Sequence, residues 1–462
     1  MILHKDSVIG KVIITGELVL DEPLLIGDGG KSAEDELDIH VLRDKNDMPY
    51  IPGTALTGVL RSFLNKTNSR AVPLLFGTSV DDAKTAQSGE LMEMQSTLAV
   101  SDVKLEKAKI ILRDGVSIDP VTGTAIKHHK FDFEAVDSDA SGNFRMEGTL
   151  RNVHADYDDV VDSGLELLRE KLLSGLYIGS RTAKGFGRVH AKKIVVNKYD
   201  FREAGDVKAW LTSTDDELGH EPALQHKTYK GAGKSVQVPE DFVVDARFAL
   251  RSSLIVRDYE SDEDGAAAMK QDSRKRYIIP GSSLKGVMRH RAEYILRRLD
   301  KDVSLLEKLM GPSLAAMKNA PETNKWKSRF QIDEAVFKHD DVVMAKQSRN
   351  RIDRFTGGTV DTALFSTKPI WKQADESVTK LHFEISKAEP WEAGLALLLL
   401  KDLWNGRTAV GGEKGIGRGT LAGISANIFY QGKQWQLSNS EQADSETIAA
   451  LQHFVDELIA KG

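Results

Sequence analysis

Ile51-Pro-Gly-Thr-Ala-Leu-Thr-Gly-Val-Leu-Arg61 decides how the chain is read, because it occurs twice. It returns as Ile279-Pro-Gly-Ser-Ser-Leu-Lys-Gly-Val-Met-Arg289, an offset of 228 residues. Outward from it, three more pairs keep the same order. Lys184-Gly-Phe-Gly-Arg188 returns as Lys414-Gly-Ile-Gly-Arg418 at an offset of 230, and Ile118-Asp119 with Thr122-Gly123 returns as Ile352-Asp353 with Thr356-Gly357 at 234. Upstream, the alternating run from Val12 to Leu20 has its counterpart from Phe242 to Leu250. Four matches at nearly constant offset in 462 residues are the mark of an internal duplication. The halves are read as 1–198 and 240–462. Residues 199–239, with Thr212-Ser-Thr-Asp-Asp-Glu, Gly219-His-Glu-Pro and Gly231-Ala-Gly-Lys, have the composition of a linker.

Each half carries the same succession of patterns. Val12 to Leu20 alternates apolar and polar residues, the period of a half-buried strand. The Gly27-Asp-Gly-Gly loop and a shorter strand near Ile39 to Leu42 follow. After the Pro-Gly, Thr54 stands where a helix is capped, with Ala55, Leu56, Val59, Leu60, Phe63 and Leu64 at helical spacing. In the second half Ser282 or Ser283 takes the capping place. A later helix (164–173; 393–400) leads into the glycine-rich stretch and a closing strand (188–196; 419–426). Strand, helix, strands, helix, strand is the order of a ferredoxin-like unit, so the fold class is α+β with two tandem ferredoxin-like (RRM-like) domains.

Composition narrows the function classes. There is no cysteine, which removes disulfides and thiolate metal sites. No apolar run is long enough to span a bilayer, and the first residues do not read as a signal peptide, so a cytoplasmic protein without a membrane partner is expected. The formal net charge of −6 hides a segregated pattern. Acidic residues collect at 35–36, 156–162, 215–217 and 260–264, and basic ones at 127–130, 181–188, 289–298 and 349–354. A basic groove on an acidic body fits that segregation, as does a scatter of solvated faces.

The basic residues sit in patterns suited to phosphate. Glycines let backbone amides approach an anion, and in the two glycine-rich stretches Arg181, Lys184, Arg188, Lys414 and Arg418 supply charge; a tight hairpin alone explains the glycines equally well. The helix starts at Thr54, Ser282 and Ser283 present unpaired amides. Lys285 and Arg289 lie one helical turn apart; Thr57 replaces the lysine in the first half, while Arg61 matches Arg289. Surface charge on an amphipathic helix is the plainer account of this last set.

Taken together, the Ile-Pro-Gly-Ser-Ser-Leu-Lys-Gly helix start, the central Ile-Asp-x-x-Thr-Gly segment and the late Gly-x-Gly-Arg loop resemble the RAMP superfamily, more narrowly the crRNA-binding backbone subunits of type III CRISPR effector complexes. Two such domains in one chain resemble the fused double subunit of type III-D variants. That resemblance implies crRNA, complementary target RNA and other effector subunits of the superfamily as partners. It also implies a projecting thumb hairpin, here 115–131 and 350–365, that splays a nucleotide out of the duplex. Lys127, Lys130, Arg349, Arg351 and Arg354, beside Phe131 or Phe355, suit such a wedge. His128 and His129 between the lysines are read as part of a basic cluster before metal ligands.

Family members that cut target RNA use an aspartate in the loop before the Ile-Pro-Gly helix together with a divalent metal, Mg²⁺ or another. Asp38, fifteen residues before Gly53, is the matching catalytic and metal-holding candidate, with Asp35, Glu36 and Asp44 as neighbours and Lys45 or His40 as assistants. Fifteen residues before Gly281 stands Ala266, so a second site is open: a nearby carboxylate, Asp264 first among Asp258, Asp262, Glu263, Asp264 and Asp272, serves if the loop length differs, and otherwise the carboxylates belong to a solvated loop. Three readings remain open: a metal-dependent RNA endonuclease within the ribonucleoprotein, a non-catalytic scaffold for the crRNA–target duplex, and a guide-processing endonuclease. The third is weakest, because no histidine recurs between the halves.

Overall fold

A computed structural model describes residues 7–29, 37–78, 95–119, 125–212, 240–258, 266–312, 327–373, 377–440 and 443–461. The chain divides into two compact units, Met1–Thr182 with Gly187–Val236 and Ala183–Phe186 with Gln237–Gly462.

The first unit contains β1 Val8–Leu20, α1 Gly53–Thr67, α2 Ala71–Phe76, β2 Leu98–Val100, β3 Ile110–Ile118, β4 Ala125–Val136, β5 Ser141–Arg151, α3 Asp158–Ser174, β6 Leu176–Tyr177, β7 Arg188–Asp200 and α4 Ala204–Thr212. Its main sheet has the order β2-β5-β1-β7-β6, with the three long strands antiparallel to their neighbours. The second unit repeats the plan with β8 Phe242–Leu250, β9 Ala267–Met269, α5 Gly281–Arg298, α6 Leu305–Met310, β10 Phe330–Ile332, β11 Gln347–Arg349, β12 Phe365–Lys368, β13 Val378–Ile385, α7 Pro390–Trp404, β14 Leu421–Tyr430, β15 Lys433–Ser438 and α8 Ser445–Ala460. Its main sheet runs β10-β13-β8-β14-β15. The first strand of each sheet lies between two long antiparallel strands, β1 between β5 and β7 and β8 between β13 and β14, the ferredoxin-like arrangement. The α+β fold with two tandem ferredoxin-like domains is as the sequence pattern indicates.

Alternation in the strands builds the cores. On β5, Phe144, Met146 and Leu150 point inward between half-exposed neighbours. They meet Leu56, Leu60 and Leu64 of α1 and Leu165, Leu168 and Leu172 of α3 in one cluster. Full burial of each such leucine contributes about 1.5–3 kcal/mol. The second core is built the same way, around Phe248, Phe330 and Phe383 with Leu284 and Leu296 of α5.

Two local expectations are corrected. Neither Thr54 nor Ser282 nor Ser283 caps its helix: Pro52 and Pro280 occupy the cap positions, and no side-chain cap bond forms there. In the first half the Gly53 amide donates instead to Asp102 Oδ1 at 2.7 Å, a partner 49 residues downstream. Residues 199–212, read from composition as the start of the linker, carry the end of β7 and all of α4. Trp210 packs edge-on against Tyr199 at 5.6 Å. Positions 213–239 lie outside the described residues. Among the described residues no helix is long and apolar enough to cross a membrane.

Candidate nucleic-acid interface

In the first half β3 and β4 pair antiparallel as a hairpin, in which Asp114 pairs with Asp132 and Gly115 with Phe131. The Phe131 ring lies over Gly115, where a Cβ would sit 1.9 Å from it, so only glycine allows this packing. Along the outer edge of β4 runs the segment that holds Asp38. The Asp38 amide donates to the Asp132 carbonyl at 2.9 Å, the Asp132 amide donates to Asp38 Oδ2 at 3.1 Å, and Ile39 bridges Phe133 in parallel. The Asp38 side chain is exposed yet fixed at the root of the hairpin. Beside it, Lys130 Nζ pairs with Asp132 Oδ2 at 3.2 Å, and Glu134 accepts from the Val41 amide and from Arg43, both at 3.0 Å. Burial pushes the Glu134 carboxyl up, but that amide, Arg43 and His40 outweigh it and hold it below the usual range. Among the described residues no three Asp, Glu or His side chains gather to hold a metal by themselves. Asp38 and the nearby Asp132 are the carboxylates that could hold a Mg²⁺ ion here, with substrate phosphate oxygens and water as its further ligands.

The turn after Asp38 fixes the register between the halves. Asp44 Oδ1 accepts from the amides of Asn46 at 2.8 Å and Met48 at 3.0 Å, and Asp47 is left-handed at φ 62°. Asp272 Oδ1 accepts from Arg274 at 2.9 Å and Arg276 at 2.8 Å, and Lys275 is left-handed at φ 65°. Both aspartates are therefore turn-formers. From there the bridge of Ile39 to Phe133 becomes that of Ala267 to Thr367, and the pair Arg113–Phe133 becomes Gln347–Thr367. Asp38, Asp114 and Asp132 thus correspond to Ala266, Ser348 and Ser366. Ala266 is 1% exposed, and the two serine hydroxyls bond each other at 2.7 Å. Asp264, with Asp262 and Glu263, lies outside the described residues.

The glycine-rich loops correct the alignment of their own motif. Gly179, Arg181, Gly185 and Gly187 have φ of 85°, 57°, 79° and 78°; Gly411, Glu413, Gly417 and Gly419 have 80°, 56°, 86° and 79°. The Ser180 amide donates to Leu25 and the Gly412 amide to Ile255, each at 2.7 Å. The loops therefore repeat at an offset of 232, two residues beyond the best letter match. Arg181 corresponds to Glu413, and Arg418 to Phe186, so the basic residues are not equivalent. Arg181 lies over the rings of Phe131 and Phe133, 4.5 and 4.4 Å from their centroids, and burial lowers the affinity of its guanidinium for its proton. Phe131 is accordingly a packed residue and not a free wedge. Glu413 takes Arg349 at 2.5 Å, Arg418 at 2.9 Å and Arg257 at 3.4 Å. Burial pushes its carboxyl up, but the three guanidinium groups prevail and hold it low. Arg418 is only 2% exposed, bonded also to Gln347, and Arg349 stacks on Phe365 at 4.9 Å. Lys184 and Lys414 are exposed, and Arg188 is half-buried on β7.

The helix residues divide likewise. Arg61 Nη1 donates to the carbonyls of Phe76 at 2.9 Å and Gly77 at 2.8 Å, and Arg289 Nη1 to that of Gly311 at 2.8 Å. Each arginine closes the C-terminal end of the short helix that follows its own, α2 or α6. Lys285 is 6% exposed, and its ammonium donates to Ser328 Oγ at 2.7 Å and the Phe330 carbonyl at 3.1 Å. It faces the protein interior. Thr54 and Ser282 are exposed at their helix starts, and Ser283 is half-buried.

At the tip of the second hairpin, Asp353 Oδ1 accepts from the amides of Phe355 and Thr356, both at 2.9 Å, and Gly357 closes the turn at φ 67°. Those two amides hold the Asp353 carboxyl below its usual range. Phe355 is 99% exposed there, flanked by exposed Arg351 and Arg354. Lys127 lies on β4, and its side chain, like those of His128 and His129, falls outside the described residues; Lys130 is exposed. Sequence reasoning missed Asp132, Arg257 and Glu413. The motif carries no signal for the last two, while the period of β4 placed Asp132 on the Lys130 side of the strand.

A search of curated proteins returns no match. Among solved structures, one that matches is described as the cryo-EM structure of the Type III-B Cmr-beta bound to cognate target RNA, at 13% identity and a TM-score of 0.30. The match covers 40% of this chain and 61% of that one, less than two thirds of its length. The family model described as RAMP superfamily matches twice, over residues 17–190 and 247–422, which together exceed half of the chain. With one match on each ferredoxin-like half, the chain belongs to the RAMP superfamily.

Proposed function

We propose that the chain is a double backbone subunit of a type III CRISPR ribonucleoprotein, which holds crRNA and its complementary target and cuts the target through Asp38 with Mg²⁺. One observation carries the reading: Asp38 is exposed and tied to the β3–β4 hairpin by its own amide and by the Asp132 amide, which donates to its carboxylate, beside Lys130. A strand laid across the hairpin brings a phosphodiester to that carboxylate. The adjacent ribose 2′-oxygen attacks phosphorus in line, its proton leaves to base, and the bond to the 5′-oxygen breaks. A 2′,3′-cyclic phosphate and a 5′-hydroxyl result, with water or Lys130 protonating the departing oxygen. The divalent ion, when bound, neutralises charge on the phosphate. Exposed Arg351, Arg354, Lys130, Lys184 and Lys414 contribute the backbone contacts that hold the duplex.

The alternative is a non-catalytic scaffold for the crRNA–target duplex. A labelled RNA complementary to the guide, incubated with the assembled complex in Mg²⁺ or EDTA, separates the two. Loss of a Mg²⁺-dependent product in Asp38→Ala at unchanged target binding supports the nuclease. Persistence of every product makes the chain a scaffold.

A further inference from the structure

We infer that cutting by this chain is confined to its first half, and that the second half is a holding module without a nuclease site. The inference rests on the reading that Asp38 cuts. The duplication invites the opposite conclusion, one cut per half, with Asp264 standing in for the missing aspartate. Three structural relations argue against it.

First, the Asp44 and Asp272 turns share their hydrogen bonds and their left-handed third residue, so the segments before them align without insertion at an offset of 228. In that register Asp264 corresponds to Glu36, and the Asp38 place belongs to Ala266. Second, Ala266 is buried and leads directly into β9, whose Ala267 bridges Thr367 as Ile39 bridges Phe133. A slip of a single residue would turn each side chain to the opposite face, so the pairing of Ala267 and Ala268 keeps Ala266 at the Asp38 place. Third, the change is not confined to one position. Asp114 and Asp132 become Ser348 and Ser366, whose hydroxyls satisfy each other at 2.7 Å, and His40 becomes Ala268. Asp38, His40, Asp114 and Asp132 have thus all given way to small neutral residues. In its place the root of the second hairpin carries Arg257, Arg349 and Arg418 around the carboxylate of Glu413, a group of net positive charge.

The test uses the assembled complex with its guide and an end-labelled complementary RNA in Mg²⁺, comparing wild type, Asp38→Ala, Asp264→Ala and the double variant, with target affinity measured for each. The expected pattern is one product lost in Asp38→Ala, its rate falling roughly 100-fold or more, and an unchanged product ladder in Asp264→Ala. A product that survives Asp38→Ala and disappears in Asp264→Ala overturns the inference while leaving the nuclease reading intact. A ladder unchanged in all three variants overturns both together. Because Asp38 is exposed, equal target affinity across the set excludes misfolding as the cause of a lost band.

Discussion

Replacing Lys285 by methionine removes an ammonium from the interior of the second unit and replaces it with a side chain of similar length. Burial, with the neighbouring Arg289 charge adding to it, lowers the Lys285 pKa to about 7. In the unfolded chain the same group titrates near 10.4. Between these values the unfolded state binds more protons than the folded one, so stability rises with pH through that window and falls as pH drops toward 7. From pH 7 to pH 9 the proton released on folding goes from about half to nearly one, which integrates to about 2 kcal/mol. For a unit of this size that corresponds to a gain of roughly 4–8 °C in melting temperature. Lys285→Met lacks the term. Guanidinium unfolding of the full chain at pH 7 and pH 9, wild type against Lys285→Met, reads the difference of the two pH increments. Parallel increments in the two proteins refute the reasoning and return Lys285 to the solvent. The same variant separates interior from interface: a lysine on an RNA phosphate lowers the salt slope of binding by about 0.7, whereas an inward-facing Lys285 leaves that slope unaltered.

Arg61→Ala exposes the carbonyls at the end of α2 without a donor and is expected to cost about 1–3 kcal/mol of stability while the salt slope of RNA binding stays as in wild type. Glu413→Gln strands Arg349 and Arg418 beside each other; removal of one partner from such a buried group costs about 3–5 kcal/mol, measured by denaturant unfolding, and added salt should recover part of the loss. Phe355→Ala touches no packing, so its melting temperature should match wild type, while duplex affinity in a filter or fluorescence assay weakens by about 1–3 kcal/mol if the ring stacks on a base. An unchanged affinity removes Phe355 from the interface.

Much of the architecture was legible in the letters. The doubled Ile-Pro-Gly segment, the alternation in β1 and β8 and the helical spacing after Gly53 and Gly281 suffice for two ferredoxin-like halves, because hydrophobic period and chain punctuation are local properties. The position of the Asp38 candidate relative to Gly53, and of Ala266 relative to Gly281, could also be counted along the chain. What each charged side chain does could not. Lys285 and Arg289 share a helix face with the spacing of phosphate ligands, yet one is buried on Ser328 and Phe330 and the other closes α6.

The sequence alone therefore determined the duplication, the fold class and the order of elements, since these depend on patterns within a dozen residues. Only the tertiary structure decided that Asp102 serves the helix start in place of Thr54, that Arg181 answers to Glu413 and not to a basic residue, and that Ala266, Ser348 and Ser366 stand where Asp38, Asp114 and Asp132 do. The reason is physical: partners 49 to 94 residues apart in the chain and the sign of φ in a glycine-rich loop leave no mark on the identity of neighbouring letters.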